Sequence, residues 1–395
     1  MADHWSDDRI AKAKNAVCAA GDVSDMELLR LAGFEPRHFR YGDWRGMQFE
    51  RMLAHHDFTG ADLSGCRFEQ AQLHLPVFEA SDGVTRNGPF ARFEHAILGR
   101  VIHDPDRDPT LPGLVTPIAN LRAAEDWDAY RRAWTRPERW PDDGHLPIGA
   151  IFQDAPFAPE MVVVPPGRYL RGSPEGEGHK DERLQREVTI DYRFAVGRFP
   201  VTFEEWDFAV EADVVEHKPE DSGWGRGRRP VMNVPWNHIV ERYLPWLNER
   251  LGLPAGSGYR LLTEAEWEYC CRAGTKTAYS FGDALTKEQA QFSEGNVGSA
   301  GQTVEVGSFP ANAFGLHDMH GNVWEWCQDA WHDSYDGAPD DGSAWESAES
   351  GVSRVLRGGS WSDDPRGLRS AYRGWDQPVD RGRLSGFRLA RTLNL

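Results

Sequence analysis

Apolar and polar positions along the chain follow periods that mark a few short helices and strands. Met161-Val162-Val163-Val164 is an unbroken apolar run ending at Pro165-Pro166-Gly167, which predicts a buried strand, and Val188-Thr189-Ile190 predicts another. Thr202-Phe203-Glu204-Glu205 and Thr263-Glu264-Ala265-Glu266 each place a threonine three residues before a glutamate, the pattern of a capped helix start. Trp206, Ala209 and Val210 follow in the first helix, and Trp267, Cys270 and Cys271 in the second. Val240, Leu244, Leu247 and Leu251 share one face of a third helix, from about Asn237 to Leu251, and Pro245 in its middle predicts a kink. Beyond Gly274 helical periodicity stops, and short strands and glycine turns continue to the end. This is an α+β pattern rich in irregular backbone.

The first part of the chain reads differently. Ser24-Asp25-Met26-Glu27 is a capping box ahead of Leu28, Leu29 and Leu31, with Gly33 as a stop, so a short helix is expected there. Leu53, Phe58, Leu63, Phe68, Leu73 and Phe78 then recur every five residues, a period that suits neither helix nor strand. The stretch 51–80 resembles a pentapeptide-repeat β-helix, although stacked repeats need several units to bury a continuous core. The other reading is a small cap with Cys66 as a buried small residue. Trp127, Tyr130, Arg131 and Trp134 fit one helical face, and Pro137, Pro141, Pro147, Pro156 and Pro159 then break the chain. Two domains are therefore expected, 1–155 and 156–395, with a linker at 137–159.

Composition narrows the function classes. With 395 residues, 40% apolar and 27% charged, the chain is of globular type. No stretch approaches the roughly 18 apolar residues of a membrane span, so no membrane partner is expected. The start, Met1-Ala2-Asp3-His4-Trp5-Ser6-Asp7-Asp8, has no basic and apolar leader, which gives a cytoplasmic expectation. Five cysteines without CxxC spacing argue against a disulfide framework or a cysteine zinc site. A net charge of −18 repels phosphate backbones, so no nucleic-acid partner is expected, and the Arg226-Gly227-Arg228-Arg229 run reads as a solvated face. Sixteen tryptophans and forty glycines suit a loop-rich fold, since glycine admits positive φ and tryptophan packs irregular backbone rigidly.

Several motifs then occur in a fixed order: Met161 to Gly167, Phe199-Pro200-Val201-Thr202, Arg229-Pro230-Val231, Tyr259 to Tyr269, Asn312-Ala313-Phe314-Gly315-Leu316, Gly321-Asn322-Val323-Trp324-Glu325-Trp326, Arg357-Gly358-Gly359-Ser360-Trp361 and Gly386-Phe387-Arg388. Together, over about residues 158 to 392, they resemble the formylglycine-generating-enzyme/sulfatase-modifying-factor family. The resemblance implies a variant of the C-type lectin fold. It also implies chemistry that the residues can be tested against, because one fold serves many functions. The family's oxidase holds copper through two cysteines after the Gly-Gly-Ser motif, and those places here hold Asp363 and Leu368. The family's sulfoxide synthases hold iron through an HxxxHxE motif, which this chain lacks. No copper or iron is therefore expected. Cys270 and Cys271 read as packing, and His317 and His320 as loop structure. A structural calcium is implied at Asp318, Gly321, Val323 and Glu325, two carboxylates and two backbone carbonyls that suit a hard cation. A second calcium would begin at Asn296 and Val297, without an evident downstream carboxylate.

From Arg357 to Arg391, residues of the family frame alternate with unusual ones. The frame comprises Gly358, Gly359, Ser360, Trp361, Arg369, Ser370, Arg373, Pro378, Gly386, Phe387 and Arg388. Between them stand Ser362, Asp363, Asp364, Gly367, Tyr372, Gly374, Trp375, Asp376, Gln377, Val379, Gly382, Arg383, Leu384 and Ser385. This layout resembles the variable proteins of diversity-generating retroelements, and its residue types are those that binding surfaces use for contact area at low entropy cost. The expectation is a binder of a protein or glycan ligand that is not an enzyme. The alternative is a formylglycine-generating or sulfoxide-synthase-type oxidoreductase with non-standard metal ligands.

Overall fold

The computed structural model describes Leu146 and residues 148–155, 157–215, 218–253, 256, 258–293, 301–349 and 351–393, together with four short strands nearer the start. The helices expected near residues 24 and 127, and the side chains of the five-residue pattern at 51–80, lie outside the described residues. Two compact units are present, one of 1–145 with 150–158, the other of 146–149 with 159–395. In the first, β1 (Arg67–Phe68) runs parallel to β3 (Ile97–Leu98), and β2 (Leu73–His74) runs parallel to β4 (Val101–His103). β4 also pairs antiparallel with β5 (Ile151–Gln153), whose Gln153 Nε2 donates to Ala158 O at 2.7 Å.

The second unit carries the sulfatase-modifying motifs. Its fully buried β6 (Met161–Val164) follows from the apolar run. β7 (Gly167–Arg171) and β8 (Arg186–Ile190) form a two-stranded ribbon. β9 (Phe194–Gly197) then leads to α1 (Phe203–Glu211), capped by Thr202 and Glu205 as expected. The third helix departs from its expectation. It begins as α2 (Trp236–His238), passes through a π turn over Ile239–Tyr243, and continues as α3 (Leu244–Leu251). Pro245 therefore stands in the first turn of α3, where a missing N–H costs little, instead of kinking a continuous helix.

β10 (Tyr259–Leu261) precedes α4 (Glu264–Arg272), whose capping box of Thr263 and Glu266 is formed in both directions. The remaining strands are β11 (Trp324–Ala330), β12 (Arg354–Arg357), β13 (Arg373–Asp376), β14 (Ser385–Phe387) and β15 (Leu389–Thr392). β6, β9, β15 and β10 lie side by side, all antiparallel. A four-stranded sheet has the order β13-β12-β11-β14, with β14 parallel to β11 and β13 at an edge. This mixed architecture, with few helices and curled sheets, is the expected α+β fold.

Every residue of α4 is buried, including the charged ones. Glu264 accepts from Arg171 of β7 at 2.6 Å and from Arg373 of β13 at 2.6 and 3.1 Å, and Tyr335 donates to it at 3.2 Å. Glu268 accepts from Arg357 of β12 at 2.6 Å, from Arg272 at 2.9 Å and from the Gly172 amide at 2.8 Å. Glu266 accepts twice from Arg260 and once from Tyr192. One helix thus ties the ribbon to the four-stranded sheet through ion pairs that water does not reach. Burial alone would raise the Glu264 carboxyl, but Arg373, Arg171 and Arg357 outweigh it and hold the carboxyl well below its ordinary range.

Removing one partner of a buried pair leaves uncompensated charge, so Glu264→Gln should lose about 3–5 kcal/mol in urea denaturation at pH 7. Because the folded-state pKa lies below the unfolded 4.5, that contribution is present above about pH 4.5 and is lost as pH falls below it. The gap between wild type and variant should therefore narrow at pH 3.5 relative to pH 7.

Candidate ligand site on the C-terminal segment

Gly358 and Gly359 follow β12 with φ of 96° and 70°, a double left-handed turn that side chains other than glycine resist. The turn delivers Ser360, fully buried, and then Asp363. Asp363 Oδ2 accepts from the Ser360 amide at 2.9 Å, from Ser360 Oγ at 2.6 Å and from Trp324 Nε1 at 2.9 Å. Asp364 caps the 3-10 turn Pro365–Leu368 by accepting from the Arg366 amide at 2.9 Å. Leu368 is fully buried at the end of that turn.

The chain then enters β13, where burial falls from buried Arg373 through half-buried Gly374 to exposed Trp375 and half-buried Asp376. Tyr372 is half-buried, with its ring 5.9 Å from Trp324 and 5.5 Å edge-on from His179. Arg373 turns inward to Glu264. Gly374 lies flat against Trp324, where a Cβ would come within 3.0 Å of the indole. Trp375 is 53% exposed and sits 6.2 Å from Trp331. Asp376 is half-buried, and exposed Gln377 reaches Ser353 Oγ at 2.9 Å. Val379 and Arg383 are exposed, the latter with its guanidinium 5.4 Å from the Trp361 ring. Ser362, Gly367, Gly382 and Leu384 are half-buried, and Leu384 O accepts from the Trp324 amide. Ser385 departs from the expected surface set, because it is the buried first residue of β14.

The frame residues face the other way. Trp361, Ser370, Arg373, Phe387 and Arg388 are all buried, and Phe387 meets Trp206 and Tyr243 edge-on. Asp363 stands between the two sets. It was expected to be an interchangeable surface residue, but three hydrogen bonds make it the tie between the Gly-Gly-Ser turn and Trp324. Sequence reasoning also missed a neighbouring clasp. Arg369 donates to both oxygens of Glu182 at 2.8 Å, and Ser173 Oγ donates to Glu182 at 2.5 Å, which fastens the loop carrying His179 beside Tyr372. No local pattern marks this contact, whose partners are 187 residues apart. A surface depression of about 640 Å³ adjoins it, lined among others by Lys287, Phe292, Asp364 and Arg366.

The residues implied for calcium divide into two kinds. Asp318 Oδ2 accepts from the Gly307 amide at 2.8 Å, while Oδ1 is buried with no partner among the described residues. Burial pushes its carboxyl up to about 6. Such an orphaned oxygen fits a hard cation. Gly321 at φ 87° and Val323, both buried, follow on the same loop. Glu325 does not fit as an open ligand, because Arg388 holds both its oxygens and Trp267 Nε1 donates to one at 2.7 Å. Asn296 and Val297 lie outside the described residues, among which no group of three or more histidine, cysteine or acidic side chains gathers as a metal site.

Among the described residues, Cys271 Sγ lies 3.8 Å from His320 Nδ1 and 3.7 Å from its Nε2. Cys270, Cys271 and Cys327 are buried, and burial pushes the Cys271 thiol up to about 12. His320 is buried between Leu368 O, at 2.8 Å from Nδ1, and the Ser280 amide, at 3.1 Å from Nε2, and burial lowers it to about 4. His317 is lowered likewise to about 4.

A fold of this kind, with the Gly-Gly-Ser turn and the Asp318–Glu325 loop in place, defines a sulfatase-modifying-type domain. The chain belongs to the sulfatase-modifying factor enzyme 1-like domain family, whose model matches residues 149–393. It is 32% identical over 297 residues to the formylglycine-generating enzyme of Thermomonospora curvata, covering 69% of this chain and 94% of that protein. It is 33% identical over 257 residues to a Chlamydia caviae protein named serine/threonine-protein kinase pkn1, covering 60% of this chain and 38% of that protein. The chain thus spans about two fifths of the length of the curated relatives it first matches. Among solved structures, PvdO from Pseudomonas aeruginosa matches with a TM-score of 0.57 at 36% identity, over 62% of this chain and 99% of that one. These relatives overturn the expectation that the chain is not an enzyme, since near-complete coverage of a formylglycine-generating enzyme places it among proteins named for catalysis. The two places where the resemblance implies copper-holding cysteines are occupied by Asp363 and buried Leu368.

Truncation of a buried frame residue of β14 and of an exposed residue of β13 should separate frame from surface. Phe387→Ala empties a fully buried position and should cost about 3–5 kcal/mol, whereas Trp375→Ala, on the exposed side, should stay within about 0.5 kcal/mol. A thermal-denaturation series checks both.

Proposed function

We propose that the domain recognises a protein or glycan ligand on the surface formed by Tyr372, Gly374, Trp375, Asp376, Gln377, Val379 and Arg383, with Ser362, Asp363, Asp364, Gly367 and Leu384 alongside. The observation that carries the reading is the alternation on one short segment. Arg373, Phe387 and Arg388 anchor it from inside, so the residues between them project from a backbone that cannot shift. Exposed Trp375, with half-buried Trp331 beside it, supplies the stiff apolar area that protein and sugar surfaces both accept. The likeness of this layout to retroelement variable proteins supports the same reading. Screening the full chain against glycan and peptide arrays should yield a ligand whose capture falls at least tenfold in Tyr372→Ala/Trp375→Ala with the melting temperature kept. Capture that ignores both substitutions counts against this surface.

Calcium enters the same proposal as a structural ion centred on Asp318, the one carboxylate of its loop with an oxygen left over. A cation bound only by the folded state stabilises it by mass action. Millimolar calcium should raise the melting temperature of the wild type, a chelator should lower it, and Asp318→Asn should respond to neither.

A further inference from the structure

We infer that the site takes an organic cation, an alkylammonium or guanidinium group, held by Asp363 beside the rings of Trp324 and Tyr372. The inference rests on the ligand surface proposed above and names the chemistry of its centre. Asp363 is an unusual carboxylate. Its Oδ2 is consumed by Ser360 and Trp324, which fixes its orientation, while Oδ1 takes no hydrogen bond among the described residues. A carboxylate locked by one oxygen and open at the other is an acceptor that needs no reorganisation when a donor arrives.

The aromatic surroundings suit the same guest. Trp324 and Tyr372 lie 5.9 Å apart with their planes 48° from parallel, and His179 closes on Tyr372 edge-on at 5.5 Å. Two aromatic faces meeting at an angle beside a carboxylate attract a cation through the ring quadrupoles as well as by charge. Gly374 makes the arrangement possible, because any side chain there would push Trp324 out of place.

The charged groups around Tyr372 favour a cation too. Burial first, and then Asp363, Glu182 and Asp181, raise its hydroxyl, while Arg369 opposes them. That guanidinium, 5.6 Å from the Tyr372 ring, is already neutralised by Glu182 and Glu177, so it does not claim Asp363. No ion pair to Asp363 is present among the described residues, whereas the neighbouring Asp364 is matched by Arg366.

Titration of the full chain with n-butylammonium chloride and propylguanidinium chloride tests this, read by the indole N–H resonance of Trp324, which Trp324→Phe assigns. The expected result is a saturable shift with either cation, none with n-butanol, and binding about tenfold weaker in Asp363→Asn and in Tyr372→Leu. Tyr372→Leu leaves the Asp363 hydrogen bonds untouched, so it remains informative if Asp363→Asn unfolds. A further arm compares Gly-Gly-Lys-Gly-Gly with its Nε-acetyl form. Tighter binding of the lysine peptide than of butylammonium upholds the inference and assigns the cation to a peptide side chain, while equal binding upholds it with a free amine. No saturable shift, an equal response to butanol, or unchanged binding in Tyr372→Leu overturns it. If an array ligand depends on Tyr372 and Trp375 but is indifferent to Asp363→Asn and to added butylammonium, the cation inference fails and the ligand surface stands. If butylammonium binds as expected while no array ligand depends on those two rings, the outcome is reversed.

Discussion

The buried carboxylate of Glu264 is the constraint on which the rest of the domain depends. It sits in the first turn of α4, where the helix dipole already favours negative charge, and it gathers Arg171 and Arg373 from two separate strands with Arg357 close by. None of these charges can be left alone away from water. The ribbon, the helix and the edge of the four-stranded sheet must therefore come together at once, or each carries an unmatched ion. Glu266 and Glu268, two and four residues further along the helix, repeat the arrangement, each with its own arginine.

That lattice explains why a segment with so little regular structure can present a defined surface. β13 is a four-residue edge strand, too short to hold its shape by backbone pairing alone. Its inward Arg373 is gripped by Glu264, Arg369 by Glu182, and the following Arg388 by Glu325. Three guanidiniums thus anchor the segment from inside, while Trp375, Gln377, Val379 and Arg383 between them are exposed. Charge, more than apolar burial, separates the two faces here.

Asp363 joins this scaffold to the exposed chemistry. In the oxidase that the family is named for, the resemblance places a metal-binding thiolate there; in this chain the carboxylate bonds Ser360 and Trp324 and leaves one oxygen open. The exchange turns a soft-metal position into a hard acceptor flanked by aromatic rings. Kinship with catalysts and a changed centre are compatible, since the same fold supports different chemistry through the residues set on it.

Much of the fold was legible in the sequence. Thr202 with Glu205 and Thr263 with Glu266 mark their helices because a capping box is a local bargain between residues three apart, and Met161–Val164 reads as a buried strand from its unbroken apolar run. The order of motifs identified the family, while of the interleaved positions after Arg357 the structure exposes Trp375, Gln377, Val379 and Arg383, leaves most of the others half-buried and buries Ser385. What the sequence could not reveal lies in partners far apart along the chain. Glu264 meets Arg171 across 93 residues and Arg373 across 109, and Arg369 meets Glu182 across 187. Nothing local pairs them, because many other charges could have served equally well. Pro245 shows the same limit: a proline in a helical pattern predicts a kink, and the structure places a π turn directly before it. Local chemistry determined where elements start and what they are made of, and only the closed tertiary structure decided which buried charges meet, because an ion pair's partner is chosen by the space the fold leaves it.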